Sequence, residues 1–230
     1  IVFGDWSSDV CSSDLAIDLA GNWFIFFLVS LLELIFIAIP LIVFKFQKKD
    51  LKYEFRSRII PEARSVKRRI LDIGIGLILG VGFVFIGGYV ALLIRELVIY
   101  FRGESFYISA SAGSVNTSPP SLKVWELVVS VAIMYCLVGL SEEFCFRGVL
   151  FKELGKKSPW LGCIGSSLLF SFYHVFPGIV PLSTFFTFWF YYFIFGVILA
   201  AITYFQKGDL ITAIVAHGTF NSILWILSYT

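Results

Sequence analysis

Long uninterrupted runs of apolar residues constrain this chain more than any other feature of its sequence. The first run is FIFFLVSLLELIFIAIPLIVF, and five more follow it. A helix needs roughly 20 such residues to cross the hydrocarbon core of a bilayer, which is about 30 Å thick. The runs do not alternate as the strands of a membrane barrel do. They predict an all-α, polytopic transmembrane bundle of about six helices, at residues 23–44, 70–94, 124–140, 160–176, 181–205 and 210–229.

Charge is scarce and unevenly placed. Only 15% of the 230 residues are charged and 58% are hydrophobic, whereas a soluble domain carries about 25% charged residues. The net charge of +2 and the single basic stretch exclude a nucleic-acid-binding surface. Ten Lys and Arg side chains lie within residues 45–69. Because basic loops face the cytoplasm, we expect a multi-pass protein of the cell membrane whose loop 45–69 is cytoplasmic, with the loops before the fourth and sixth helices on the same side.

The chain divides into three regions by composition. Residues 1–15, IVFGDWSSDVCSSDL, are polar, begin without Met and have no helical period, so we expect a non-native or disordered leader. Residues 16–123 hold two transmembrane helices and the basic loop, and residues 124–230 hold the residues that can do chemistry. The cysteines lack CxxC spacing, which predicts free thiols rather than a disulfide framework. They are Cys11, Cys136, Cys145 and Cys163.

Small and acidic residues interrupt the apolar helices of the N-terminal half. Gly76 and Gly80 lie one turn apart in the second run, and their surroundings do not complete a dinucleotide-binding motif. We therefore expect them to mark close helix packing. Glu33 lies midway in the first run, and an acid inside a membrane span is a functional candidate by default. Since no motif surrounds it, we favour a structural hydrogen bond over a catalytic role.

Two adjacent acids and an arginine end the third apolar run. An ionised side chain near the bilayer centre costs about 2.5–3.5 kcal/mol, so such groups must pair or face a wet cavity. Glu143 and Arg147 are four residues apart and share a helix face, which predicts an ion pair. Glu142 points about 100° away from Glu143 and is left without a partner on its own helix.

The only two histidines of the chain, His174 and His217, also lie inside apolar runs. A carboxylate in an apolar cavity is a suitable general base, and imidazoles of neighbouring helices can share its water. Glu142 and His217 each lie ten residues from a basic helix end, or roughly 15 Å deep. His174 is 14 residues past Trp160, or roughly 21 Å, and reaches the same depth only if its helix tilts or starts with a surface turn. The pattern predicts a hydrolytic site built from three helices.

Metal-assisted hydrolysis is the second interpretation of the same residues. Two histidines and a glutamate are also the ligand set of a hydrolytic zinc site, which would here be Glu142, His174 and His217. The HExxH signature is missing and the histidines are 43 residues apart, so three helices would have to supply the ligands. We place metal-free catalysis slightly ahead of zinc and leave both open. A polar network that only stabilises the bundle is the third interpretation.

Three motifs in this order resemble a known family. They are EExxxR at residues 142–147, FxxxH at residues 170–174 and HxxxN at residues 217–221. Together they are similar to the motifs of the CPBP family of intramembrane endopeptidases, also called the CAAX protease and bacteriocin-processing or Abi family. The resemblance covers roughly residues 124–230.

The resemblance implies a role for each motif residue. It implies a membrane-embedded cavity in which Glu142 and His174 activate a water molecule. It also implies that His217 and Asn221 stabilise the oxyanion of the tetrahedral intermediate. The supporting residues would be Glu143, Arg147 and Phe170. The first two would brace the site, and Phe170 precedes His174 by four residues.

The resemblance also implies a substrate class and an alternative. Members of the family cleave membrane-associated or lipidated peptides, including prenylated CAAX tails, while others are linked to peptide processing and bacteriocin self-immunity. The aromatic stretch TFFTFWFYYFIF at residues 184–195 is interpreted as lipid-facing packing rather than a substrate groove. The alternative function is a catalytically idle scaffold or immunity protein that binds a partner membrane protein. A transporter comes third, because no inverted repeat is visible; no nucleotide partner is expected.

Overall fold

The computed structural model describes residues 23–113 and 123–227. The expected leader with Cys11, part of the loop after the second span, and Tyr229 at the end of the last predicted helix lie outside the described residues. Within those two ranges every regular element is helical and none is a strand. The predicted all-α membrane bundle is confirmed.

The helices in chain order, within the described ranges, are α1 (Trp23–Leu31), α2 (Ile35–Phe46), α3 (Leu51–Ile59), α4 (Val66–Arg102), α5 (Glu104–Ala112), α6 (Val124–Ile133), α7 (Leu140–Glu143), α8 (Lys152–Gly155), α9 (Pro159–His174), α10 (Leu182–Phe205) and α11 (Ile211–Leu227). A 3-10 turn, Leu32–Leu34, joins α1 to α2. Two π-helical segments, Met134–Gly139 and Phe144–Phe151, flank α7. With α6 and α8 they complete one continuous helix, Val124–Gly155.

Four of the described helices are long and apolar enough to cross a membrane. They are Phe26–Phe46, Val66–Arg102, Val124–Gly155 and Leu182–Phe205. Helices α9 and α11 have 16 and 17 residues, or about 24–26 Å at 1.5 Å per residue, which is shorter than the hydrocarbon core. Eleven of the 17 residues of α11 are buried, so this helix belongs to the protein core.

Both long connections contain short helices that the apolar runs do not show. Helix α3 lies in the basic segment 45–69 and begins after Asp50, whose carboxylate accepts a hydrogen bond from the Tyr53 N–H at 2.6 Å. This is a standard N-terminal cap. Helix α5 follows α4 directly after Gly103, which adopts a positive φ of 85°. These helices are amphipathic or polar, so a search for apolar runs passes over them.

Helix α4 packs closely against α11 through two glycines. A Cβ atom on Gly76 would lie 2.7 Å from the Val215 Cβ atom, and one on Gly80 would lie 2.7 Å from the Ala216 carbonyl oxygen. Both distances are shorter than van der Waals contact, so only glycine lets the two backbones approach this closely. The predicted packing role of Gly76 and Gly80 is confirmed, and it fixes the position of α11.

A set of buried ion pairs, which we call the basic-end cluster, joins the basic segment to the turn before α11. Asp72 of α4 and Asp209 are both almost completely buried. Arg64 Nη1 lies 2.8 Å from Asp72 Oδ2, and Arg68 Nε lies 3.0 Å from Asp72 Oδ1. Arg69 Nη1 lies 2.6 Å from Asp209 Oδ2. The basic segment and the turn before the last helix therefore meet at one end of the bundle, as the charge pattern predicts.

Candidate active site

A cavity of about 300 Å³ lies inside the bundle, between α1, α4, the continuous helix 124–155, α9, α10 and α11. Most of its lining is apolar or aromatic. Its polar lining includes Glu142, His174, His217 and Asn221, together with Glu33 from the first helix. The structure thus brings the four predicted catalytic residues to a single cavity, although they come from three helices.

Glu142 is the acid at the centre of this cavity, with 2% of its surface exposed. Its Oε2 atom lies 3.8 Å from His174 Nε2 and 4.0 Å from His217 Nε2. Within the described residues Oε2 has no hydrogen-bond partner. The two separations are too long for direct hydrogen bonds, but they suit a small molecule bridging the groups. Glu142 also has no partner on its own helix, as the sequence predicts.

His174 is the last residue of α9 and presents Nε2 to Glu142. Its Nδ1 atom lies 3.0 Å from the carbonyl oxygen of Phe170. Because a carbonyl oxygen can only accept, Nδ1 carries a proton, and Nε2 of the neutral ring offers a lone pair. The ring stacks on Tyr192, with 4.4 Å between ring centroids. Packing and one hydrogen bond therefore fix both the tautomer and the orientation of His174.

The depth estimate that placed His174 deeper than Glu142 is wrong, and the helix ends explain why. Helix 124–155 continues past Lys152 to Gly155, and α9 turns back at once from Pro159. A Cβ atom on Gly162 would lie 2.6 Å from the Phe151 carbonyl oxygen, so the two helices form a tight antiparallel pair. Glu142 lies 13 residues before Gly155 and His174 lies 15 residues after Pro159. On this count their depths agree within about 3 Å.

His217 is held by a buried ion pair on the opposite helix. Glu143 Oε1 lies 2.8 Å from His217 Nδ1 and 2.9 Å from Arg147 Nη1. Glu143 and Arg147 are fully buried, and Arg147 Nη2 also donates to the Gly196 carbonyl oxygen at 3.2 Å. The predicted ion pair between Glu143 and Arg147 is confirmed. The contact between Glu143 and His217 joins residues 74 positions apart, and spacing within one helix gives no signal for it.

The contact with Glu143 also sets the tautomer of His217. A carboxylate can only accept a hydrogen bond, so Nδ1 carries a proton and Nε2 faces Glu142. The ring can donate from Nε2 only as an imidazolium cation, whereas the neutral ring offers a lone pair there. Asn221 lies one turn further along α11 and lines the same cavity.

Phe170 supports the site from two sides. Its carbonyl oxygen binds His174, and its buried ring lies under the Arg147 guanidinium, with 4.4 Å from Cζ to the ring centroid. The ring also contacts Phe146 edge to face, with 5.2 Å between centroids. A cation over an aromatic face is favourable when both are desolvated. Phe170 therefore links the ion pair of one helix to the histidine of another.

The two acids occupy an unusual stretch of backbone. Glu142 and Glu143 end α7, a four-residue α-helix between the two π-helical segments. π-Helical turns are rare and occur frequently at functional sites. They arise from the pattern of backbone hydrogen bonds, which the sequence does not reveal.

One face of the aromatic helix α10 lines the cavity, which corrects the interpretation of residues 184–195 as lipid-facing packing. Tyr191, Tyr192 and Phe195 are buried and contribute to the cavity wall. Phe186 and Phe190 on the other face are 63% and 48% exposed. The run is aromatic all round, so it has no period that distinguishes its two faces.

The residues match a zinc site in chemistry but not in placement. Two imidazole nitrogens and a carboxylate are suitable ligands. Ligand atoms around a tetrahedral zinc ion lie about 3.3 Å apart, whereas Glu142 Oε2 lies 3.8 Å and 4.0 Å from the two Nε2 atoms. In the part of the chain that the structure describes, no group of three His, Cys, Asp or Glu side chains is arranged to hold a metal ion.

Comparison with known proteins identifies a family model that matches part of the chain. Residues 124–223 match the family model described as Type II CAAX prenyl endopeptidase Rce1-like. Residues 124–223 are therefore similar to the CAAX protease family. The resemblance noted from the three motifs is confirmed, and the matched segment contains all seven predicted site residues. Neither a curated protein nor a solved structure matches the chain.

Proposed function

We propose that the protein is an intramembrane endopeptidase that hydrolyses peptide bonds of membrane-associated or lipidated substrates, with residues 124–230 as its catalytic core. One observation carries the proposal. The buried Oε2 atom of Glu142 has no hydrogen-bond partner among the described residues, and it faces Nε2 of both His174 and His217. A polar network that only stabilised the bundle would pair this carboxylate with a cation, as it pairs Asp72 and Glu143, because burying an unpaired carboxylate is costly. The family match supports the class of activity.

Glu142 and His174 activate the attacking water. His174 directs its Nδ1 proton to the Phe170 carbonyl oxygen, so its Nε2 atom and Glu142 Oε2 are both hydrogen-bond acceptors. A water that donates one hydrogen to each acceptor keeps its lone pairs free to attack the substrate carbonyl. Glu142 accepts the proton during the attack and then passes it to the leaving amine, which is general base and then general acid catalysis.

His217 and Asn221 stabilise the negative charge that develops on the carbonyl oxygen. Both line the cavity from one face of α11. The Asn221 amide donates as it stands, and His217 donates from Nε2 as an imidazolium, which the Glu143 carboxylate beside Nδ1 stabilises. Arg147 holds that carboxylate in place. A preorganised donor of this kind contributes about 3 kcal/mol to the transition state.

The first test is the Glu142→Gln variant. Purified protein in detergent is incubated with a panel of hydrophobic and lipidated reporter peptides, and cleavage is measured by mass spectrometry. We expect cleavage to fall by about 10²–10⁴-fold, the usual contribution of a general base. The size-exclusion profile and the thermal unfolding curve remain unchanged. Glu96→Gln is the matched control, since Glu96 is exposed and pairs only with exposed Arg95 among the described residues. Full cleavage by the Glu142→Gln variant would remove the assignment of the base.

The second test concerns the oxyanion. The Asn221→Ala variant is expected to lower kcat by about 10²–10³-fold with little change in KM, because the donor acts mainly in the transition state. Steady-state kinetics on the best reporter peptide measure both constants. An effect confined to KM would contradict the proposed role of Asn221.

A chelator separates the two catalytic interpretations. We expect cleavage to survive dialysis against a strong zinc chelator, since the three candidate ligand atoms lie too far apart for a tetrahedral site. Loss of cleavage that added zinc restores would establish metal-assisted hydrolysis instead.

We also propose that segment 45–69 faces the cytoplasm of the cell, because its basic residues meet the turn before α11 at one end of the bundle.

A further inference from the structure

Glu33 lies in the same cavity as Glu142 but outside the segment that matches the family. It is the middle residue of the 3-10 turn Leu32–Leu34 between α1 and α2. Its Oε1 atom accepts a hydrogen bond from the Tyr173 hydroxyl at 2.7 Å. Its Oε2 atom is buried and has no hydrogen-bond partner among the described residues. The structural hydrogen bond expected from the sequence thus uses only one of the two oxygens.

Aromatic packing fixes Glu33 relative to the catalytic histidine. Tyr173 directly precedes His174, and their ring centroids are 4.9 Å apart. Phe36, one turn after Glu33, contacts Tyr173 edge to face at 4.5 Å and Phe146 at 5.4 Å. The Glu33 carboxylate is therefore held by α9, the helix that presents His174, although Glu33 itself lies between α1 and α2.

The unpaired oxygen of Glu33 matches a need of a peptide substrate. A peptide that enters an apolar cavity brings backbone N–H groups that have lost their water, and each is costly unless it finds an acceptor. In the proposed mechanism Glu142 is occupied by the attacking water. Glu33 Oε2 is a second buried acceptor on the wall of the same cavity.

We propose that Glu33 is a substrate-binding residue whose Oε2 atom accepts a hydrogen bond from a backbone N–H of the peptide, while Oε1 stays bound to Tyr173. The inference rests on the proposed endopeptidase function, because it assigns the cavity to a peptide. It adds the first transmembrane helix to the substrate site.

The experiment measures peptide affinity without turnover. In a Glu142→Gln background, Kd is determined by fluorescence anisotropy for a reporter peptide and for a set of its analogues, each with one N-methylated backbone nitrogen. We expect one N-methylation to weaken binding by about 10- to 100-fold, which is the range for a hydrogen bond to a charged group. In the Glu33→Ala variant the parent peptide binds more weakly by a similar factor, and that N-methylation adds no further loss. With Glu142 present, the Glu33→Ala change raises KM and leaves kcat nearly unchanged.

Matched variants separate substrate binding from a structural tie. Ser30→Ala is the control, because Ser30 also lines the cavity but donates its hydroxyl to the Phe26 carbonyl oxygen of its own helix at 2.8 Å. This variant is expected to retain the full N-methylation penalty. Glu33→Gln keeps the shape of the side chain and replaces Glu33→Ala if the latter does not fold. In the Glu33→Gln variant the N-methylation penalty on Kd is expected to shrink severalfold, because the acceptor at residue 33 loses its charge.

Each outcome separates this proposal from the proposed function. An N-methylation penalty that is equal with and without Glu33 overturns the substrate contact. A fall in kcat at unchanged KM in the Glu33→Ala variant also overturns it, because Glu33 would then act through Tyr173 and His174. A Glu33-dependent penalty in a protein that cleaves none of the peptides overturns the endopeptidase function and keeps the binding site. If no peptide binds the Glu142→Gln protein, the substrate contact fails, and cleavage by the wild-type protein decides the endopeptidase function separately.

Discussion

The basic-end cluster and the pair of acids beside the cavity differ in how their carboxylates are paired. In the basic-end cluster both acids, Asp72 and Asp209, pair with arginines of the preceding basic segment. Beside the cavity two acids, Glu142 and Glu143, are adjacent in the chain, and Arg147 pairs with Glu143 only. Glu142 is as buried as Asp72, but its Oε2 atom faces two imidazoles at 3.8–4.0 Å and no cation of Lys or Arg type among the described residues. Pairing, and not burial, distinguishes the acid that we assign to chemistry from the acids that hold helices together.

The largest effect is expected from breaking the ion pair between Glu143 and Arg147, which holds His217. Arg147→Met leaves Glu143 buried without its cation, which costs about 3–5 kcal/mol in the free energy of unfolding. Cleavage of the reporter peptide is lost as well, because Glu143 no longer holds His217. Chemical denaturation in detergent and the peptide assay measure the two losses.

A double variant sharpens this prediction. Replacing both partners, Glu143→Gln with Arg147→Met, removes the buried charge and is expected to recover much of the stability. Cleavage does not recover, because His217 still lacks a carboxylate beside Nδ1. An active double variant would show that the pair has only a structural role.

Breaking the basic-end cluster is expected to lower stability while cleavage is retained. Asp72→Asn lowers the free energy of unfolding by about 2–3 kcal/mol, less than the full cost of a broken buried pair, because the side chain of Arg68 is 47% exposed. Cleavage per folded molecule is retained, since no residue of this cluster lines the cavity. Glu62→Gln, at an exposed acid of the same segment, is the control and changes neither quantity. Loss of cleavage without loss of stability would contradict the division of roles between the two clusters.

The smallest effect is expected at the helix contact that joins the two clusters. Gly80→Ala forces a Cβ atom against the Ala216 carbonyl oxygen, and overpacking of this kind costs about 1–3 kcal/mol. Cleavage falls severalfold because α11 carries His217 and Asn221. Gly82→Ala is the matched control on the same helix, since its Cβ atom would have no neighbour within 4 Å. Equal thermal unfolding temperatures for the two variants would argue against the close packing of α4 on α11.

Contacts within one helix could be predicted from the sequence. The spacing of Glu143 and Arg147 predicts their ion pair, and the spacing of Gly76 and Gly80 predicts a helix contact, because a helix places residues three and four apart on one face. The same rule leaves Glu142 without a partner. The class of fold follows from the length of the apolar runs alone.

Contacts between helices could not be predicted in the same way. The hydrogen bond from His217 to Glu143 and the one from Tyr173 to Glu33 depend on which helices are neighbours, and each joins residues more than 70 positions apart. Counting from Lys152 underestimates the depth of Glu142, because the helix continues three residues further, to Gly155. The inward face of α10 is not visible in the sequence, because an aromatic run without period has no preferred side.

The π-helical segments make the number of residues in the third membrane helix as important as the identity of those residues. Each π turn winds the backbone more loosely than an α turn, so it accommodates an additional residue. Deleting one residue within Met134–Gly139 would let this segment return to regular α winding and would leave Glu142 directed at the cavity. Deleting a second residue there would rotate everything beyond the segment by about 100°, and Glu142 would face away from the cavity although all three motifs stayed intact. Two chains with identical motifs can therefore differ in activity through insertions or deletions upstream of them.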